Sequence, residues 1–267
     1  MEVAVSEPST VSNGSITDVS VLPAVTAPLC GFLVIDKPAG CTSHDCVSKA
    51  RRALGTRKVG HGGTLDPAVT GVLPLAVGPA TRLLPYLEGE KDYIGTIQLG
   101  LRTSSDDLSG EVLEQQHWPS LSQAELDGQL QPFRGLIQQR PPAVSAVHVD
   151  GERAHTRARR GEQLLLASRP VTIEQLELLR WDPSTGQLEI KLRCSAGTYV
   201  RSLARDLGDQ LGCGGALAKL RRTAALGFTL ESSLPLEALG PDTTLSDPLQ
   251  ALEHLPKQRL SQGQWLA

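Results

Sequence analysis

Gly60-His-Gly-Gly-Thr-Leu-Asp-Pro-Ala-Val-Thr-Gly71 packs four glycines, a histidine and an Asp-Pro pair into twelve residues. Glycine adopts backbone angles closed to other residues, so this density in an otherwise regular sequence marks a shaped loop. Asp66 is the carboxylate it presents, although Asp-Pro is also a common turn starter. No Gly-Lys-Ser/Thr ends the stretch, and it does not match GxGxxG after a strand, so a phosphate-cradling loop is a poor reading. His61, set between glycines, could serve as a base, a ligand or a wedge. No second histidine lies at helical ligand spacing, so no metal site is expected.

Outward from this loop the chain reads as mixed elements. Upstream, Gly31-Phe-Leu-Val-Ile35 is a short buried strand stopped by Asp36-Lys37-Pro38-Ala39-Gly40. Ser43 can cap a helix to about Leu54, with Val47, Ala50 and Leu54 on one face and Gly55 ending it. Downstream, Tyr93 to Leu99 reads as a strand, and Ser122-Gln-Ala-Glu125 has the spacing of a capping box. Val171 to Leu179 and Leu188 to Cys194 are strands, the second alternating cleanly. Thr198 to Leu211 is a helix with Val200, Leu203, Ala204, Leu207 and Leu211 inward. Strands interleave with helices but few connections look like regular βαβ units, which favours a mixed α+β sheet.

The 267 residues carry a net charge of −3, with 40% apolar and 21% charged residues, ordinary for a soluble globular protein. A uniformly basic coat is excluded. Basic residues nevertheless cluster, six against one acid over 37–58, seven against three over 134–169 and seven against two over 191–222. This is compatible with a polyanion groove or with solvated helix faces. The apolar run from Gly71 to Gly78 contains Pro74 and is far too short to span a bilayer. Five cysteines form no CxxC pair, and no export signal precedes them, which favours reduced thiols and a cytoplasmic protein. Residues 1–29, without Lys or Arg, read as a flexible tail. Tyr199 and Arg201 open the helix after Cys194-Ser-Ala-Gly197. An arginine there could hold a carboxylate bidentately and keep it ionised, or be a surface residue. Leu220-Arg221-Arg222-Thr223 suits a phosphate backbone and equally an exposed helix end.

Taken together the segments are more specific than any one of them. Gly31-Phe-Leu-Val-Ile-Asp-Lys-Pro-Ala-Gly40, Thr42-Ser43-His44-Asp45, Gly55-Thr-Arg-Lys-Val-Gly-His61, Gly63-Thr-Leu-Asp-Pro67 and Thr70-Gly71 resemble the TruB family of tRNA pseudouridine synthases. Lys91-x-Tyr93, Phe133-x-Gly135, Gln139-x-Pro141-Pro142-x-x-Ser145-Ala146, Arg169-Pro170-Val171, Cys194-Ser195-x-Gly197-Thr198-Tyr199-x-Arg201-Ser202 and Leu220-Arg221-Arg222 follow in the same order. The resemblance covers roughly residues 31–230.

The resemblance implies a pseudouridine synthase fold, with a mixed, mostly antiparallel central sheet flanked by helices and loops. It implies a catalytic domain over 30–232, followed over 233–267 by the lead-in to an absent or truncated PUA-like domain. The implied reaction converts uridine to pseudouridine at position 55 in the T loop of tRNA, with base flipping and no cofactor or metal. Asp66 takes the place of the covalent nucleophile, Arg201 that of its ion-pair partner, and Tyr93 that of the ring packed on the target base. His61 matches the residue inserted into the T loop, and Tyr199 the aromatic on the pocket floor. Lys37, Gly63, Leu220, Arg221 and Arg222 are expected to bind substrate, and the partner is the tRNA T-arm, met by a monomer with no membrane contact. Three positions depart from the pattern: Gly62 where Thr, Ser or Ala is commoner, Asp92 and Ile94 flanking Tyr93, and His155 where Tyr is usual. A guide-RNA-dependent pseudouridylase subunit, an RNA-folding protein with secondary catalysis, and a nucleotide-phosphate enzyme are the alternative readings.

Overall fold

The computed structural model describes residues 29–145, 147–149, 151–160, 162, 166–256 and 258. The expected tail, apart from Leu29, lies outside these residues, as does the side chain of His155. In chain order the elements are β1 (Gly31–Lys37), α1 (Ser43–Ala53), β2 (Val59–His61), β3 (Thr70–Val77), β4 (Lys91–Leu99), β5 (Leu101–Thr103), β6 (Val112–Gln115), α2 (Gln123–Leu130), β7 (Gly135–Gln139), β8 (His148–Val149), β9 (Glu152–Arg153), α3 (Ala154–Arg159), β10 (Arg169–Asp182), β11 (Gln187–Cys194), α4 (Val200–Gln210), β12 (Gly215–Ala225), β13 (Phe228–Thr229), β14 (Leu234–Pro235) and α5 (Pro248–Ala251).

The main sheet runs β14-β1-β3-β12-β4-β11-β10-β7, with β2 added on β3 and β13 on β12. Its pairings are antiparallel except β1 with β14 and β3 with β12. This is the mixed, mostly antiparallel sheet expected. Alternation decides β11: Leu188, Ile190, Leu192 and Cys194 are buried, and the residues between them face solvent. Helix α4 covers the buried face with Val200, Leu203, Ala204 and Leu207. Helix α1 adds Cys46, Val47 and Ala50, joined by Leu54, to the same core.

Three local readings are corrected. Thr42, not Ser43, is the N-cap of α1, forming a capping box with Asp45. Asp36 and Lys37 do not stop β1 but continue it. The 220–223 cluster lies within β12, between β3 and β4, and is not a helix end. The Gly71–Gly78 run is a central strand despite Pro74. On that side of β3, β12 pairs at Thr70–Gly71 and β2 pairs from Leu75, and Gly62 N–H fills the gap by donating to the Pro74 carbonyl at 2.8 Å. The proline nitrogen faces the same gap, beyond the last paired residue of β2.

Candidate active site

The Asp66 loop spans the connection from β2 to β3 and is held by side chains that come from distant sequence. Lys37, buried at the end of β1, donates from Nζ to the carbonyls of Pro38 (2.9 Å), Pro67 (3.2 Å) and Val69 (2.7 Å). Ser43 Oγ accepts from Leu65 N (2.8 Å) and lies 3.2 Å from the Leu65 carbonyl, tying the first turn of α1 to the residue before Asp66. Arg222, wholly buried, donates from Nε to the Val72 carbonyl (2.7 Å) and from Nη2 to the Gly63 carbonyl (3.2 Å). Gly71 admits β12: a Cβ there would lie 2.1 Å from the Arg222 carbonyl oxygen, and its φ of +103° favours glycine as well. Gly62 has a packing reason too, because a Cβ there would meet Leu226 Cδ1 at 2.6 Å.

Asp66 is thereby aimed at α4. Its Oδ2 lies 3.0 Å from Arg201 Nε, with the arginine side chain 7% exposed and the aspartate 43%. The rest of the guanidinium is fixed: Nη1 donates to the Ser105 carbonyl (2.8 Å) and Nη2 to the Val144 carbonyl (2.9 Å). Asp107 Oδ2 stands 3.7 Å from the same Nε. A buried guanidinium with its donors committed in this way holds its orientation against the exposed carboxylate beside it. The start of α4 is itself clamped. The Gln139 amide accepts from Tyr199 N (2.8 Å) and donates to the Tyr199 carbonyl (3.1 Å), and Ser202 Oγ donates to the Arg140 carbonyl (2.8 Å).

Asp66 and Arg201 border a cavity of about 240 Å³ whose walls include Tyr93, Tyr199, Leu220 and Lys91. Burial pushes the Tyr93 phenol above its ordinary range, so it is neutral at pH 7. Burial, and secondarily Arg222, pull the Lys91 ammonium below its ordinary range. Burial also lowers the His61 imidazole, with Arg222 and His44 adding to the effect. Metal ligation finds no cluster of three or more suitable side chains among the described residues. No helix among them is long and apolar enough to cross a membrane.

Of the residues expected at a site, the fold brings Asp66, Arg201, Tyr93, Tyr199 and Leu220 to one cavity. Gly63 lies behind it, its φ of +144° letting the chain pass close to Arg222 and Lys91. Lys37 and Arg222 lie inside the fold, where both support the loop through bonds to carbonyls. Arg221 forms a bidentate pair with Asp36 (3.0 and 2.7 Å) at the protein surface. His61 lies outside the cavity wall on β2, its Nδ1 accepting from Gly63 N at 3.3 Å. Sequence reasoning missed Asp107, Gln139 as a clamp, and Lys91. The recurrence of Lys91 two residues before Tyr93, hence on the same face of β4, was the available signal for the last.

Two family descriptions match the chain: TruB family pseudouridylate synthase (N-terminal domain) over residues 51–200, and tRNA pseudouridylate synthase B C-terminal domain over 201–253. A tRNA pseudouridine synthase B of Parasynechococcus marenigrum (strain WH8102) is 68% identical over 237 residues, 88% of this chain and 81% of that one. That of Synechococcus sp. (strain WH7803) is 64% identical, over 89% of this chain and 82% of its own. Among solved structures, a chain of the archaeal box H/ACA sRNP Nop10-Cbf5 complex is 28% identical with a TM-score of 0.61, covering 85% of this chain and 62% of that one. A chain of a Cbf5-Nop10-Gar1 complex is 30% identical with a TM-score of 0.60, covering 78% and 52%. The present chain therefore spans less than two thirds of those solved chains.

Proposed function

The chain belongs to the TruB family of pseudouridylate synthases, which are isomerases, and from that premise we propose that it converts uridine to pseudouridine at position 55 in the T loop of tRNA, with Asp66 as nucleophile. The observation that carries this reading is the 3.0 Å ion pair between Asp66 and the buried Arg201 at a cavity walled by Tyr93, Tyr199 and Leu220. The reaction needs a carboxylate that is positioned yet accessible, and the pair supports both conditions. Arg201 holds the carboxylate in place, while the 43% exposure of Asp66 leaves it open to an incoming nucleotide.

A uridine stacked within a folded loop must be extruded to reach Asp66, at a cost of a few kcal/mol. In this reading Tyr93 and Tyr199 supply apolar faces that take up the flipped nucleotide, and Leu220 closes the floor. His61, held largely neutral and beside the cavity, enters the space the base leaves. Asp107 shares Arg201 with Asp66 and limits its swing. The protein works in the cytoplasm, as a catalytic domain over 30–232 with a C-terminal segment after it.

Position is tested by mapping the product. A tRNA transcript treated with the protein is derivatised with carbodiimide, and pseudouridine is located by reverse-transcription stops. A single stop at position 55, absent when that uridine is replaced by cytidine, is the expected result. Stops elsewhere, or modification only when a guide RNA is added, would replace the T-loop reading with the guide-dependent one.

A further inference from the structure

Two cations, Lys91 and Arg222, meet beside Gly63 at the cavity wall. Lys91 and Tyr93 share one face of β4 and both line the Asp66 cavity. A Cβ on Gly63 would lie 3.8 Å from Lys91 Nζ and 3.6 Å from Arg222 Nη1, so the two charges flank one small residue. Among the described residues the buried Nη1 of Arg222 has no hydrogen-bond partner, and the Tyr93 phenol is the polar neighbour of the Arg222 side chain. Other arginines around the site are answered by acids: Arg201 by Asp66, Arg205 by Asp106, Arg221 by Asp36. Burial and the neighbouring guanidinium both disfavour the Lys91 charge. Two like charges set side by side at the wall of a cleft mark a place that a negative ligand completes.

The identity of that negative charge rests on the uridine isomerisation proposed above. Whatever group takes up C1′, the electron pair of the N1–C1′ bond leaves with N1, and the detached uracil is an anion whose charge spreads over N1, O2 and O4. On rejoining, C5 supplies the pair that forms the C5–C1′ bond. The C5 hydrogen departs as a proton and N1 gains one, so the step balances without an oxidant or reductant. We infer that Lys91 is a further catalytic residue, its ammonium set against a carbonyl oxygen of the detached uracil to stabilise that anion while the ring turns. Arg222 raises the positive potential from behind while it holds the Gly63 and Val72 carbonyls. A charge fixed in a partly dry wall needs no reorganisation when the anion forms. The phosphates have a different place: exposed Lys219 and the half-buried Arg221 border an outer trough of about 410 Å³ beside the same Leu220.

The test compares wild type, Lys91→Met and Lys91→Arg in single-turnover release of tritium from C5 of uridine in saturating tRNA, with Kd by filter binding and a thermal melt on each. Lys91→Met is expected to slow release about 10²-fold with Kd within about twofold of wild type. Lys91→Arg, which keeps the cation, is expected to recover at least about tenfold of that loss. A Lys91→Met protein with weakened binding and an unchanged saturated rate would make Lys91 a phosphate contact and overturn the inference. So would an unchanged rate and Kd, or a rate loss that Lys91→Arg does not relieve. Wild type that releases no tritium would overturn the parent reading as well. An active wild type beside an equally fast Lys91→Met overturns this inference alone.

Discussion

Replacing Arg201 by lysine keeps a positive charge beside Asp66 and removes the fork. One ammonium cannot hold Asp66 Oδ2 and the Ser105 and Val144 carbonyls from the directions the guanidinium serves. Arg201→Lys is therefore expected to lose at least about tenfold in kcat, with tRNA binding retained, in a steady-state assay beside filter binding. His61 gives a pH prediction. Its folded-state pKa lies below the unfolded value, so as pH falls below about 6.5 the unfolded chain takes the proton first and stability declines. The fall in Tm between pH 7.5 and 5 is expected to be smaller in His61→Gln than in wild type; an equal fall would show that other groups carry it. At this scale the sequence shows charge but not burial. Asp66 and Arg201 stand 135 residues apart, and only the combined motifs linked them. Lys37 and Arg222 read as substrate contacts because nothing in their neighbours' identity says that a strand carries them inside the fold. Asp107 sat in a polar stretch, 104–111, with no pattern to separate it from an ordinary turn.

Between elements, the site depends on the junctions that aim the Asp66 loop. Ser43 and Thr42 are adjacent at the start of α1, yet they do different work. Thr42 closes the capping box, and Thr42→Ala is expected to lower stability by about 1 kcal/mol without changing kcat. Ser43→Ala leaves the Leu65 amide without its acceptor, at a cost of about 1–3 kcal/mol, and is expected to lower kcat as well. Urea melts and single-turnover rates on the two variants separate the roles, and equal rates would show that the tie does not aim Asp66. Gly71→Ala would drive a Cβ into the Arg222 carbonyl and part β3 from β12, so a loss well above about 1 kcal/mol is expected. The elements with a clean period were legible, namely β11, α4 and the apolar face of α1. β12 was not, because the register shifts at Leu217/Lys219 and Arg222/Ala224 break its alternation and charged residues sit on a central strand. β3 was hidden by Pro74, whose nitrogen falls in a gap that only the neighbouring strands define.

Across the whole molecule a net charge of −3 must coexist with the proposed grip on a polyanion. Much of the positive charge is spent internally: Lys37 and Arg222 are buried, and Arg201 and Arg205 are paired with acids. What remains exposed includes Arg52, Arg57, Lys58, Lys191 and Lys219. Binding should therefore be local and salt-dependent. Lys219→Ala is expected to weaken tRNA binding, reduce the slope of log K against log salt by about 0.7–0.9, and leave the saturated rate unchanged. An unchanged slope would place the RNA away from the trough beside Leu220. The fold class was legible as a whole because many short motifs kept their order along 31–230, which no single loop could have shown. The most direct test of the account is tritium release from C5 of uridine in a tRNA transcript, measured for wild type and Asp66→Asn alongside tRNA affinity. The account expects release by wild type only, from the uridine substrate and not from its cytidine counterpart, with affinity within about threefold in Asp66→Asn because the loop supports are untouched. Release by Asp66→Asn at the wild-type rate would contradict it.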